Sequence, residues 1–298
     1  MFEEAQLYAP VTQGADGTVE VQLADDHPGV GDPVYRARRN AIAALALEWS
    51  PGDPIPHAEY TDEEHAVWRQ VCDELAVLHR DLACAEYLAG GERLHLPGDH
   101  IPQLDEVTAA LQPLTGFHYV PAAGLVPLRE FYGSLADGTF HSTQYIRHHS
   151  VPLYTPEPDV VHEVVGHANC LASDRFAALY RAAGRAARHV EGADALEFVS
   201  KVFWFSLEFG VLREEGRVKT YGAGLLSSYG EIQQIAGADL RPLDLARMGV
   251  QTYDITHYQP LLFCADSFEQ IEDVVGGFFE TVDDDMVGRL LAESAVPH

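Results

Sequence analysis

Pro156-Glu-Pro-Asp159-Val-Val-His162-Glu163-Val-Val-Gly166-His167 carries more chemistry than any other stretch of the chain. It is close to the HExxH of zinc proteases, whose two histidines lie four apart and share one helix face. Here they lie five apart, which on an ideal α-helix turns them roughly 140° away from each other. Both reach one metal ion only if the helix ends or distorts between them, and Gly166 is placed for that. The best third ligand is Glu208, within the almost wholly apolar run Val202-Phe-Trp204-Phe-Ser-Leu-Glu208-Phe-Gly-Val-Leu212. Burial disfavours a charged carboxyl there, and a cation supplies the missing positive charge. The four-residue spacing of Ser200, Trp204 and Glu208 predicts a shared helix face. Two histidines and one carboxylate, with positions left open, form the facial triad of non-haem Fe(II) oxygenases. Singly, each residue reads as a hydrogen-bonded core histidine or a surface glutamate paired with Arg213. Together they fit one coordination chemistry.

Outward from this stretch the chain is mostly helical in pattern. Residues 1–32 are acidic, contain Gly and Pro, and read as an extended arm. From Pro33 onward the helical period takes over. Thr61 followed by Glu64 forms a capping box that opens a run with Val67, Val71, Leu75, Leu78 and Leu82 on one face. Gly and Pro between Gly90 and Pro102 mark a loop. Further helices are expected near 104–112, 127–136, 158–167, 173–188 and 194–212, and strands only near 217–221 and 260–264. No composition shift forces a domain boundary, so one mainly α domain is the simplest arrangement.

Composition narrows the function. The chain has 298 residues, 47% hydrophobic and 22% charged, enough to bury a sizeable core. Its 46 acidic against 19 basic residues give a formal charge of −27, which disfavours nucleic acid or an anionic membrane as a main partner. Cys72, Cys84, Cys170 and Cys264 form no CxxC pair, so buried free thiols are expected rather than a zinc ribbon or disulfide framework. The N-terminus lacks a signal-peptide pattern and no apolar run suffices to span a bilayer, so a cytoplasmic protein is expected.

Several longer strings resemble one family, the pterin-dependent aromatic amino-acid hydroxylases. They are His27-Pro-Gly through Arg39, Ile101-Pro-Gln-Leu104, Phe140-His-Ser-Thr-Gln-Tyr-Ile-Arg147-His and Tyr154-Thr-Pro-Glu-Pro-Asp159. The His162 to His167 segment, Trp204 to Gly210 and Tyr221 to Glu231 continue the match, which runs from about residue 27 to about 282. The resemblance implies a mainly α catalytic domain with a few short strands over 27–298, after an N-terminal arm over 1–26. It further implies Fe(II), a tetrahydropterin such as tetrahydrobiopterin, and O2 as cosubstrate, with iron and pterin together activating dioxygen and the protein positioning the parts. By motif, Arg147 takes the substrate carboxylate, Asp159 orients Arg147, and Thr155 and Ser227 add hydrogen bonds. Pro158, Trp204 and Gly224 shape the slot for the ring. Phe131 stacks on the pterin and Glu163 hydrogen-bonds it, with Gly124, Leu125 and Val126 lining the same pocket and His141 and Tyr253 nearby. Glu163 and Ser227 are the residues given catalytic roles.

The chain departs from the family pattern at Ala168-Asn169-Cys170, where Val-Pro usually follows the second histidine, and at Pro127 and Leu128, which replace serines. It carries neither the regulatory domain nor the tetramerisation helix of animal members, so a monomer acting on a small molecule is expected. An aliphatic Ile255 argues against tyrosine as substrate, and Trp204 in place of phenylalanine argues against tryptophan. Phenylalanine remains the best substrate. Phe140 and Thr155 match the pair of para-hydroxylating members, whereas a meta-hydroxylating relative has a smaller residue at the first. A phenylalanine 4-hydroxylase is therefore expected, with phenylalanine 3-hydroxylase or tryptophan hydroxylase as alternatives and a zinc hydrolase as a remote one.

Overall fold

Asp32 and Thr61 start the first two long helices. The Asp32 carboxylate accepts from the Val34 and Tyr35 amides and opens α1 (Pro33–Glu48), with proline in its first turn. The Thr61–Glu64 capping box forms as the sequence predicts and opens α2 (Asp62–Leu82), which buries Val67, Trp68, Val71 and Leu75. Leu78 and Leu82 are only half-buried, and His79 takes the inner position between them, its Nε2 2.7 Å from the Leu226 carbonyl. The computed structural model describes residues 10–124, 126–254 and 257–294. Within the N-terminal arm, β1 (Val11–Gln13) and β2 (Val19–Val21) form an antiparallel hairpin. Val19 and Val21 pack on Ala43 of α1.

The loop expected between Gly90 and Pro102 begins only after Leu94, because Gly90 lies in the C-terminal half of α3 (Ala85–Leu94). Gly90 serves close packing: a Cβ there would lie 2.2 Å from the Asn169 carbonyl oxygen. The helix ends at His95, whose left-handed φ of 56° closes it. α4 (Leu104–Thr115) leads into β3 (His118–Pro121), and α5 (Leu128–Leu135) crosses over to β4 (Thr139–Ser142), which runs parallel to β3. α6 (Asp174–His189) and α7 (Ala193–Phe203) follow.

The helix expected to continue to residue 212 stops at Glu208, and Val211–Glu214 forms β5. Gly210 makes the break, because a Cβ there would meet the Tyr221 ring at 2.1 Å. β5 turns through Glu215 and Gly216, both at positive φ, into antiparallel β6 (Arg217–Thr220). β7 (Asp239–Pro242) and β8 (Leu261–Ala265) complete a four-stranded sheet in the order β6-β5-β8-β7, with β8 parallel to both neighbours. Strands at 217–220 and 261–265 match the sequence pattern. The others are three or four residues long. One large core, including the fully buried Trp68, Tyr132, Phe176 and Phe203, joins helices and sheet. Among the described residues no helix is long and apolar enough to cross a membrane.

Candidate active site

The two histidines meet because the helix between them is wound wide. His162–Ala168 is a π-helix, whose i→i+5 repeat brings residues five apart onto one side. Distortion therefore spreads over seven residues rather than falling at Gly166 alone. Buried side chains take carbonyls along this segment: Tyr119 Oη donates to Glu163 O at 2.8 Å and Tyr87 Oη to Val165 O at 2.9 Å. Asn169, at one of the departures from the family pattern, donates its amide to Val165 O at 3.0 Å. Gly166 lets the segment approach α8 (Ala223–Ser227), since a Cβ would lie 2.8 Å from the Ala223 carbonyl oxygen. Trp204–Glu208 is a second π-helix, with the Phe209 amide bonded to Trp204 O at 2.9 Å. The wider winding divides the expected common face: Trp204 and Glu208 line the cavity below, and Ser200 does not.

His162 Nε2 and His167 Nε2 converge to 3.0 Å. Glu208 places one oxygen 3.2 Å from His167 Nε2 and the other 3.7 Å from His162 Nε2. Each ring is fixed from its far side. His162 Nδ1 lies 2.9 Å from Ser227 Oγ, which donates its own hydrogen to Ala223 O at 2.8 Å. Ser227 therefore accepts from Nδ1–H, and the Nε2 lone pair faces Glu208. His167 Nδ1 lies 2.8 Å from Tyr180 Oη. Burial first, then His167, lowers the His162 imidazole to about 4, so it is neutral and ready to ligate at pH 7. Burial pushes the Glu208 carboxyl up, but the two imidazoles outweigh it and hold the group below its ordinary value. Glu163, facing the same centre, goes the other way: burial and then the Glu208 charge raise it well above the carboxylate range. Two imidazole nitrogens and one carboxylate at these spacings fit a divalent transition metal ion.

Beside this centre Arg147 and Asp159 form a buried bidentate pair, Nε to Oδ2 and Nη2 to Oδ1 at 2.8 Å each. The Arg147 amide adds a third bond to Asp159 at 2.8 Å. Burial would raise the Asp159 carboxyl; the guanidinium overrides it and keeps the group ionised. One cavity brings together Gly124, Val126, Phe131, His141, Arg147, Thr155, Pro158, His162, Glu163, His167, Trp204, Glu208, Gly224 and Ser227. Asp159 supports the wall from beneath Arg147. Tyr253 stacks on Trp204, with centroids 4.4 Å apart, and does not line the cavity. Leu125 and Ile255 lie outside the described residues.

Sequence reasoning missed Tyr180, Arg39, Tyr145 and Glu231. Tyr180 left no local signal, because its partner His167 is on another element. Arg39 and Glu231 end strings that carry the family resemblance, yet nothing local marks them as buried. Arg39 Nη1 binds Glu157 at 2.5 Å and its guanidinium lies 3.4 Å from the Tyr145 ring centroid. Glu231 lines the cavity and accepts from the Gln259 amide at 2.6 Å, and burial pushes its carboxyl up to about 7.

The profile described as biopterin-dependent aromatic amino acid hydroxylase matches residues 15–289, and this chain belongs to that family. Phenylalanine 3-hydroxylase of Streptomyces coeruleorubidus is 52% identical over 91% of this chain and 99% of its own length. Phenylalanine-4-hydroxylase of Bos taurus is 42% identical over 88% of this chain, which spans 59% of that longer protein. The structure of Chromobacterium violaceum phenylalanine hydroxylase with bound iron(III) and 7,8-dihydrobiopterin superposes with a TM-score of 0.75 at 29% identity. That match covers 86% of this chain and 93% of that one. The zinc-hydrolase alternative falls with this assignment.

Proposed function

We propose that the protein hydroxylates the ring of phenylalanine at C3, using Fe(II), a tetrahydropterin and O2. The observation that carries the ring position is the 52% identity to a phenylalanine 3-hydroxylase along 99% of that protein. The 4-hydroxylase reading rested on the pair Phe140 and Thr155, of which Thr155 lines the cavity and the discriminating Phe140 does not. The Phe140 ring is fully buried and packs 4.8 Å from His167 and 4.9 Å from Tyr119, outside the cavity wall. Its bulk reaches the cavity only indirectly, through the lining residues His167 and Phe131, which weakens the argument for C4.

His162, His167 and Glu208 hold the iron, and iron and pterin supply the oxygen chemistry when bound. The residues themselves position and exclude. Asp159 occupies the Nε and Nη2 side of Arg147, leaving the Nη1 N–H groups for the substrate carboxylate. Trp204, Pro158 and Gly224 flank the ring. A larger residue at 224 would be driven into Phe209, since a Cβ there already approaches that ring to 2.8 Å. Phe131 offers an aromatic face to the pterin, with Gly124, Val126 and His141 along the same wall. Glu163, kept protonated by its surroundings before metal binds, has a proton to donate to a pterin oxygen or nitrogen.

Turnover of phenylalanine by Fe(II)-loaded protein with a tetrahydropterin and oxygen, with products separated against ortho, meta and para standards, tests the reading. 3-Hydroxyphenylalanine is expected. Tyrosine as the main product would return the assignment to a 4-hydroxylase, and product from tryptophan alone would overturn both.

A further inference from the structure

We infer that the chain holds a second transition-metal site, separate from the triad, built from Asp32, His148 and His149 with Glu63 beside them. One donor atom from each of the first three lies within 4.8 Å of the other two. Metal–ligand bonds of about 2.0–2.2 Å would draw such atoms to within roughly 3.5 Å of one another. The exposed His149 side chain can supply that movement by rotation. Asp32 is already held: its Oδ1 accepts from the Val34 and Tyr35 amides at 2.8 and 3.1 Å, and Oδ2 lies 3.3 Å from His148 Nε2. His148 is buried, and its Nδ1 sits 2.7 Å from Ser150 Oγ, the outer hydrogen bond that ligating histidines require. The Ser150 amide also approaches this nitrogen, at 3.3 Å. Ligation would exchange that longer contact for donation from Nδ1–H to the hydroxyl. The His149 ring lies 4.3 Å from that of His148, and its Nδ1 is 3.4 Å from Glu63 Oε2.

Imidazole with carboxylate selects zinc, nickel or copper(II) over magnesium or calcium, which prefer oxygen alone. None of Asp32, Glu63, His148 or His149 lines the substrate cavity. A bound ion would join three segments: the N-cap of α1, the first turn of α2, and the loop leaving Arg147.

Zinc binding measured by equilibrium dialysis tests the site, with His149→Ala as the main variant because the ring is exposed and its removal spares the core. Wild type should bind two zinc ions per chain and His149→Ala one. Glu208→Ala should retain one ion, lost on adding His149→Ala, and zinc should raise the Tm of Glu208→Ala but not of the double variant. Equal zinc content with and without His149 in the Glu208→Ala background would overturn the proposal. That result would leave the hydroxylase reading untouched, because the triad is absent from both of those proteins.

Discussion

The cavity has two unlike sides. On the metal side three functional groups are each held by a second buried group: His162 by Ser227, His167 by Tyr180, Arg147 by Asp159. The side that includes Gly124, Val126 and His257 comes from loops, with Phe131 on the short helix α5. Away from the metal, Glu231 on the short helix Tyr229–Ile232 lines the cavity with a backbone amide, not a charge, as its partner. The difference teaches that geometry at the metal is over-determined, whereas the other wall is free to vary with cofactor and substrate. Mutations should therefore cost most on the metal side.

Glu208→Gln should give the largest effect, a fall in turnover of roughly a thousandfold or more, about 4 kcal/mol of barrier, measured together with iron content. Arg147→Ala should raise KM for phenylalanine about 10–100-fold, the worth of charge-assisted hydrogen bonding from Nη1. It should also lower Tm, because Asp159 is left as an uncompensated buried charge. An unchanged KM would remove Arg147 from substrate binding. Ser227→Ala and Tyr180→Phe should each weaken iron affinity about 10–100-fold, read by competition with a chelator. If they do not, the metal side is no better buttressed than the other wall.

Glu231 tests the opposite wall through pH. Its carboxyl ordinarily titrates near 4.5 and is pushed up to about 7 when folded, so the folded state binds more protons between those values. Its contribution to stability is full below about 4.5, declines as pH rises, and is gone above about 7. Glu231→Gln should flatten that decline, a change of at most about tenfold in the unfolding constant per pH unit, followed by denaturant titration. Phe131→Ala should be mildest, raising KM for the pterin about 2–10-fold.

The two sides also differed in how legibly the sequence announced them. The triad could be read because Glu208 in an apolar run needs a cation and because the histidines stand close together. Their five-residue spacing, awkward on an α-helix, is met by the π-helix His162–Ala168, whose Glu163 and Val165 carbonyls accept from the Tyr119 and Tyr87 hydroxyls. Those hydroxyls come from distant elements, so no local pattern predicts the π-helix. Gly90 misled for the opposite reason: glycine usually breaks a helix, and here it allows one to press against Asn169. Val211 and Leu212 extended an apolar helical run, and only the approach of Tyr221 to Gly210 shows why the chain turns into a strand. Phe131 and His141 line the cavity, whereas Tyr253 stacks on Trp204.

The most direct test of the central claim is an anaerobic Fe(II) titration of the wild type, His162→Ala, His167→Ala and Glu208→Gln, followed by a single turnover with phenylalanine, tetrahydropterin and O2. Tight iron binding and hydroxyphenylalanine from the wild type, with both lost in all three variants, is the predicted result. Full iron binding and product from any one variant would contradict the triad.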